Sequence, residues 1–323
     1  MNVRRLTKWT AVGAVAAACF IVGPAIIPHR QRRRYQHAEL AAPDDQFVRV
    51  DGFTMRYQVK GDGTPIILIH GFASSIVTWY RNMDDLAREH RVYAIDLKGW
   101  GLSDKPSDGD YSLRAQAQHV RAFMDALGIE RAVVVGHSMG GAVAIHFAAI
   151  YPDATLGVVL IGAAGAHRFR FVAVISRAMR VPLLRAWARL LMDYVMSNEA
   201  LLTSGMPNAY HDPSNLTPAM KRSLVTPFHT HGFEDALLNL VRDARHHRMH
   251  GSVLQVQCPT LVLWGEQDFV VPVSDAQYFV EHIPQARLVV LPQAGHQAHE
   301  ERAVEVNRLI NEFVADVGVK RRV

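Results

Sequence analysis

The sequence predicts an α/β domain, a mostly parallel sheet flanked by helices and interrupted by one long helical insertion. Three observations lead there. Short apolar runs recur at Pro65–Ile69, Val92–Ile95, Ala132–Val135, Val158–Ile161, Leu261–Trp264 and Leu288–Leu291. Runs of this length, rich in β-branched residues and without alternation, are how strands buried on both faces read. Helical patterns separate most of them, clearest over Leu113–Leu127 and Met139–Ile150, with Glu301–Val314 after the last run. Strand alternating with helix implies parallel strands joined by right-handed crossovers. Finally, the stretch from about Ala166 to Gly251 is far longer than any simple connection, and we expect it to form a separate helical cap.

Taken in order, the folded part opens with Phe47–Val50 and Thr54–Val59 around Asp51-Gly52, the pattern of a β-hairpin. The expected organisation is an N-terminal segment over residues 1–45, a core over 46–165 and 252–318, and a cap over 166–251. At 49% hydrophobic and 20% charged residues in 323, the chain has the composition of a globular protein able to bury one large core.

The basic balance of the chain, +5 overall, is local. Arg4, Arg5, Lys8, Arg30, Arg32, Arg33 and Arg34 precede residue 35 with no acid among them. The remainder, with 28 basic and 30 acidic residues, sums to −2, which argues against a nucleic-acid partner. Between the basic clusters, Trp9–Ile27 holds no charged side chain. As a helix this run would be roughly 28 Å long, close to the thickness of a bilayer core. We read it as a single membrane anchor, followed by a charged linker to Asp45. Secretion after signal-peptide cleavage is the competing reading, and basic residues on both sides leave the orientation open. Cys19 and Cys258 cannot pair, so no disulfide framework is expected.

Chemistry concentrates where Val133-Val134-Val135 runs into Gly136-His137-Ser138-Met139-Gly140-Gly141. A strand ending in Gly-x-Ser-x-Gly and opening a helix is the context in which a serine is held in a strained turn as a nucleophile. A hydroxyl needs a base and an orienting acid. Asp268 follows the Leu261–Trp264 strand, and His296 follows Leu288–Leu291; Glu266 and His299 are the rival acid and base. An oxyanion would need two N–H donors, for which Met139 and Phe72, in His70-Gly71-Phe72, are the candidates. His70 itself reads as a brace for that loop. No metal or organic cofactor is implied, and the His246, His247, His250 cluster reads as a solvated basic helix.

As a set, His70-Gly71-Phe72, Asp96–Ser103, the Gly136–Gly141 turn, Gly265–Asp268 and Gly295-His296 resemble the α/β-hydrolase superfamily over about Phe47–Val317. The resemblance implies the α/β-hydrolase fold, an eight-stranded sheet with a helical cap after the sixth strand, and a Ser138–Asp268–His296 triad. In that pattern Asp96 is a structural turn residue, and Lys98 stands where many relatives carry proline. The expected activity is hydrolysis of carboxylic esters through an acyl-enzyme, and the anchor together with the basic cap described below points to apolar or lipid-derived substrates. Ser138 argues against epoxide hydrolases and haloalkane dehalogenases, which carry aspartate there. Carbon–carbon bond hydrolases keep the serine but usually show a Gly-x-Gly-Pro-Gly oxyanion loop, whereas this one reads Gly71-Phe72-Ala73-Ser74-Ser75. Cofactor-free haloperoxidases share the triad, membrane-anchored monoacylglycerol lipases share the layout, and a non-catalytic hydrolase-fold scaffold is the alternative of another class.

From His167 to Met192 the cap holds six arginines among apolar residues and no acid. Two arrangements fit: apolar side on the domain with a solvated arginine face, or a basic amphipathic segment lying near lipid.

Overall fold

The computed structural model describes residues 35–165, 170–244 and 249–319. Eight strands form one sheet: β1 Gln46–Val50, β2 Phe53–Lys60, β3 Thr64–Ile69, β4 His90–Ile95, β5 Ala132–His137, β6 Thr155–Ile161, β7 Thr260–Gly265 and β8 Ala286–Leu291. Their order across the sheet is β1-β2-β4-β3-β5-β6-β7-β8, antiparallel at β1/β2 and β2/β4 and parallel from β4 onward. The hairpin joining β1 and β2 turns at Asp51 (φ 46°) and Gly52 (φ 84°), the two positive values that match the right-handed twist of the strands.

The helices of eight or more residues are α1 Leu113–Ala126, α2 Met139–Ile150, α3 Arg170–Ala178, α4 Pro182–Met196, α5 Pro218–Val225, α6 Phe233–Asp243, α7 Ser274–His282 and α8 Ala303–Val319. Alternation along β5 divides them between two layers. Val134 packs with Phe123 of α1 and Phe147 of α2, while Val133 and Val135 pack with Leu309, Ile310 and Phe313 of α8. One apolar run departs from the double burial expected of it: in β8, Val290 is 41% exposed, because β8 is the sheet edge and has β7 as its neighbour on one side alone.

Asp96, at the end of β4, is a brace. Its carboxylate accepts from the Ile76 N–H (2.7 Å), the Leu102 N–H (2.8 Å) and the Arg56 guanidinium (3.1 Å), and Arg56 also meets Asp45 at 2.8 Å. All of this is buried, and Gly101 is required because a Cβ there would run into the Asp96 carboxyl. Asp96→Ala would leave two buried N–H groups without their acceptor and a buried guanidinium half-paired. We expect a loss of about 3–5 kcal/mol in urea unfolding. The Lys98 ammonium lies over the Phe53 and Tyr111 rings, at 5.5 and 5.0 Å from their centroids.

Helices α3 to α6 lie between β6 and β7 and cover the carboxyl ends of the strands. Asn239 of α6 donates to the Ser107 carbonyl, and the Tyr111 N–H donates to Asp243. The arginines of α4 are not a solvated face. Arg185 reaches Asn239 Oδ1 (2.9 Å) and Arg189 reaches Asp235 Oδ1 (2.6 Å), both on α6. The acid nearest in sequence is Asp193 of the same helix; these partners come from another helix more than forty residues away.

Candidate active site

The β5–α2 turn places Ser138 at φ 51° and ψ −116°, a strained conformation that persists because its surroundings fix it. Its N–H donates to the Ile161 carbonyl of β6 (2.9 Å), and its own carbonyl accepts from Ala164 N–H (3.0 Å) and Gly141 N–H (3.0 Å). The glycines are steric necessities: a Cβ on Gly136 would strike the Gly140 carbonyl, and one on Gly140 would strike that of Ile69. Ser138 thereby stands at the N-terminus of a twelve-residue helix, whose dipole favours negative charge nearby.

Asp268 and His296 meet, with Oδ2 to Nδ1 at 2.7 Å and both side chains buried. The other oxygen of Asp268 accepts from the Val270 and Val271 N–H groups (2.9 and 2.8 Å), so the loop after β7 holds this carboxylate in place. Gly162 leaves the space, since a Cβ there would sit 3.1 Å from Asp268 Oδ2 and 3.2 Å from His296 Nδ1. Glu266 is exposed and takes a hydrogen bond from Gln267 instead. His299 is fully buried, its Nε2 2.8 Å from Thr78 Oγ1, and burial lowers its pKa to about 3. Asp268 and His296 are thus paired with each other, whereas Glu266 and His299 have other partners.

His137, whose role no local sequence signal indicates, ties the serine's turn to this pair. Its Nε2–H donates to the His296 carbonyl (2.9 Å), and its ring lies between those of His296 (4.7 Å) and His299 (4.5 Å). Burial, with the neighbouring histidines adding to it, holds its pKa well below the ordinary value, so it is a neutral spacer. His70 is the brace expected of it: Nδ1–H donates to the Gly71 carbonyl and Nε2 accepts from the Leu97 N–H, and burial lowers its pKa. This fixes the loop at Gly71, where a Cβ would approach Ser138 Cβ to 3.2 Å. The Met139 N–H, first in α2, has no intrahelical acceptor. Phe72, the other expected donor, follows Gly71 on the adjoining loop.

From Phe72 an aromatic row runs into the cap: Phe72 to Trp100 (5.2 Å), Trp100 to Phe233 (5.8 Å), Phe233 to Phe228 (4.7 Å). The cap is also bonded to the histidine loop, through Gln297 N–H to the Ala209 carbonyl (3.1 Å) and Tyr210 Oη–H to Glu300 Oε2 (2.9 Å). Thr78 donates to the other oxygen of Glu300 at 2.6 Å. Burial raises the Glu300 pKa to about 7 against these two donors. The native state therefore keeps a proton that the unfolded chain gives up near pH 4.5, and stability falls as pH rises from there to about 7. Glu300→Gln should match wild type in urea at pH 4 and exceed it by up to about 3 kcal/mol at pH 8.

Among the described residues no group of three or more His, Cys, Asp or Glu is placed to hold a metal ion. His246 and His247 lie outside the described residues, and His250 Nδ1 is 2.7 Å from Tyr278 Oη. No helix among the described residues is long and apolar enough to cross a membrane, and Trp9–Ile27 lies outside them.

Known proteins resemble this chain in sequence and fold. The sequence is 32% identical over 278 residues, 84% of this chain and 70% of the other, to the dihydrolipoyllysine-residue acetyltransferase component of the acetoin cleaving system of Pseudomonas putida. It is 28% identical to a 2-hydroxy-6-oxononadienedioate/2-hydroxy-6-oxononatrienedioate hydrolase of Comamonas testosteroni, covering 83% of this chain and 93% of that one. The crystal structure of a membrane phospholipase A, a bacterial virulence factor, superposes with a TM-score of 0.70 at 25% identity, covering 97% of this chain and 98% of that one. With residues 64–303 matching the family of the α/β-hydrolase fold, the chain belongs to the α/β-hydrolases.

Proposed function

We propose that the protein is a serine hydrolase of carboxylic esters with apolar, lipid-derived acyl groups. The observation that carries this is Ser138 in its strained turn, joined to the Asp268–His296 pair through the neighbouring His137, whose Nε2–H donates to the His296 carbonyl. Ser138 Oγ attacks the acyl carbon while His296 accepts its proton, and Asp268 stabilises the imidazolium. The Met139 and Phe72 N–H groups hold the oxyanion, and His296 protonates the departing alcohol. Water, activated by the same histidine, then releases the acid. Phe72, exposed on the loop next to the nucleophile turn, offers an apolar surface to an acyl group, with Trp100, Phe233 and Phe228 packed as core behind it. The reading of Trp9–Ile27 as an anchor gives access to membrane substrates, and the match to a membrane phospholipase along 97% of this chain supports it.

A second reading, a carbon–carbon bond hydrolase, is favoured by the Comamonas relative. The dienedioate in that relative's name carries two carboxylates, which call for basic partners at the site; the exposed side chain on the loop next to the nucleophile turn, Phe72, is apolar. Two measurements decide. A fluorophosphonate probe should label wild type and not Ser138→Ala, and absence of labelling in folded wild type would sink both readings. p-Nitrophenyl esters of increasing acyl length should be turned over faster than a 2-hydroxy-6-oxo-dienoate; the reverse order would favour the second reading.

A further inference from the structure

Helix α4 turns its apolar side outward. Leu184, Leu191 and Tyr194, spaced at i, i+7 and i+10 and so on one face, are 36%, 64% and 61% exposed. Val181 just ahead of the helix and Val174 and Ile175 on α3 are exposed too. The other face is occupied by Arg185 and Arg189, committed to Asn239 and Asp235 of α6. Fully burying one such side chain is worth about 1.5–3 kcal/mol, so a contiguous stripe left in water marks a surface that a partner covers.

Two further observations say which partner. The Tyr35 N–H donates to the His229 carbonyl (3.0 Å) and Tyr35 bridges to Thr230, so the first described residue is fixed to the cap, beside Phe228. Ile27, the last residue of the uncharged run, is eight residues earlier, a reach of at most about 29 Å when fully extended. An anchored run therefore holds the cap, and not the opposite edge of the sheet, close to the bilayer. Charge agrees: Arg177 and Arg180 are exposed at the border of the stripe, Arg30, Arg32, Arg33 and Arg34 lie in the tether, and no acid occurs from His167 to Met192. Two copies meeting through this face would oppose arginine to arginine, whereas anionic headgroups neutralise them.

We propose that the outward face of α3 and α4 rests in the headgroup–acyl boundary of an anionic lipid bilayer, a second membrane contact of this chain, with Leu184, Leu191 and Tyr194 as its apolar wedge. It rests on the reading of Trp9–Ile27 as an anchor and on no assumption about the reaction. In the full chain with Cys19→Ser and Cys258→Ser, an environment-sensitive fluorophore is attached at Leu191→Cys or at Asp62→Cys, which is exposed before β3 on the opposite edge of the sheet. The protein is reconstituted in phosphatidylcholine vesicles with or without phosphatidylglycerol. The label at 191 should shift to the blue and be quenched by doxyl-lipid, more so with phosphatidylglycerol, while the label at 62 responds to neither. A label at 191 as water-exposed as the one at 62 overturns the proposal. So does one that is shielded and unquenched by doxyl-lipid while the unlabelled Leu191→Cys protein cross-links 191 to 191, which would assign the face to a second copy. Both readouts are independent of ester turnover, so failure here and failure of the hydrolase reading are told apart.

Discussion

Ser138→Ala should lower kcat/KM for an ester substrate by about 10⁴–10⁶-fold while leaving the fold untouched. The size of the effect follows from the role proposed for Oγ, which forms the bond to the acyl carbon; neither His296 nor a bound water at this site replaces it with similar efficiency. The conserved stability follows from the backbone. Ser138 sits at φ 51° because strand β5, β6 and helix α2 hold it there, and alanine keeps the same Cβ in the same strained place. Urea unfolding should therefore agree with wild type within about 0.5 kcal/mol. Ser138→Gly, which has no Cβ to strain, should instead gain on the order of 1 kcal/mol and be equally inactive. Activity within about tenfold of wild type in Ser138→Ala would remove the nucleophile from the mechanism.

Asp268→Asn should cost about 10⁴-fold in kcat. The carboxylate accepts the His296 Nδ1–H at 2.7 Å and thereby leaves Nε2 free to take a proton from the serine. An asparagine can offer an N–H to Nδ1, which fixes the wrong tautomer and removes the charge that stabilises the imidazolium. Because Val270 and Val271 N–H groups hold the other oxygen, the asparagine should stay in place and KM should change little. Glu266→Gln, at an exposed carboxylate bonded to Gln267, should be silent. If the two variants exchanged behaviour, the acid would be assigned to the wrong residue.

The sheet and the nucleophile turn were legible because their signals are local. Val133–Val135 announces a buried strand by composition, and Gly136 and Gly140 announce the close approach of strand and helix within six residues. Asp268 and His296 were legible as positions after strands, but that these two side chains meet while Glu266 and His299 bond elsewhere depends on two loops brought together by β7 and β8. What the sequence left hidden depends on contacts between distant segments. An amphipathic pattern in α4 tells that the helix has two faces and not which of them meets the domain. Asp235 and Asn239 on α6 decide that, by drawing Arg185 and Arg189 inward. His137 and Glu300 were equally silent, since a histidine between glycine and serine or a glutamate in an acidic helix start is unremarkable until Thr78, Tyr210 and the His296 carbonyl close around them.

The hydrogen bond from Gln297 to Ala209 and the one from Tyr210 to Glu300 join the cap to the loop that carries His296. If His296 is the base, as proposed, the cap is a part of the catalytic frame as well as its cover, and this limits how freely it could be exchanged in evolution or by engineering. A transplanted cap that fitted the outline of the core but lacked a carbonyl at 209 and a phenol at 210 would close the site while leaving its base loosely held. Its signature would be near-normal substrate affinity with slow turnover, the opposite of what a merely misshapen pocket produces. Libraries that diversify this cap for new substrates should accordingly vary α3 to α6 and keep Ala209 to Asp212 fixed.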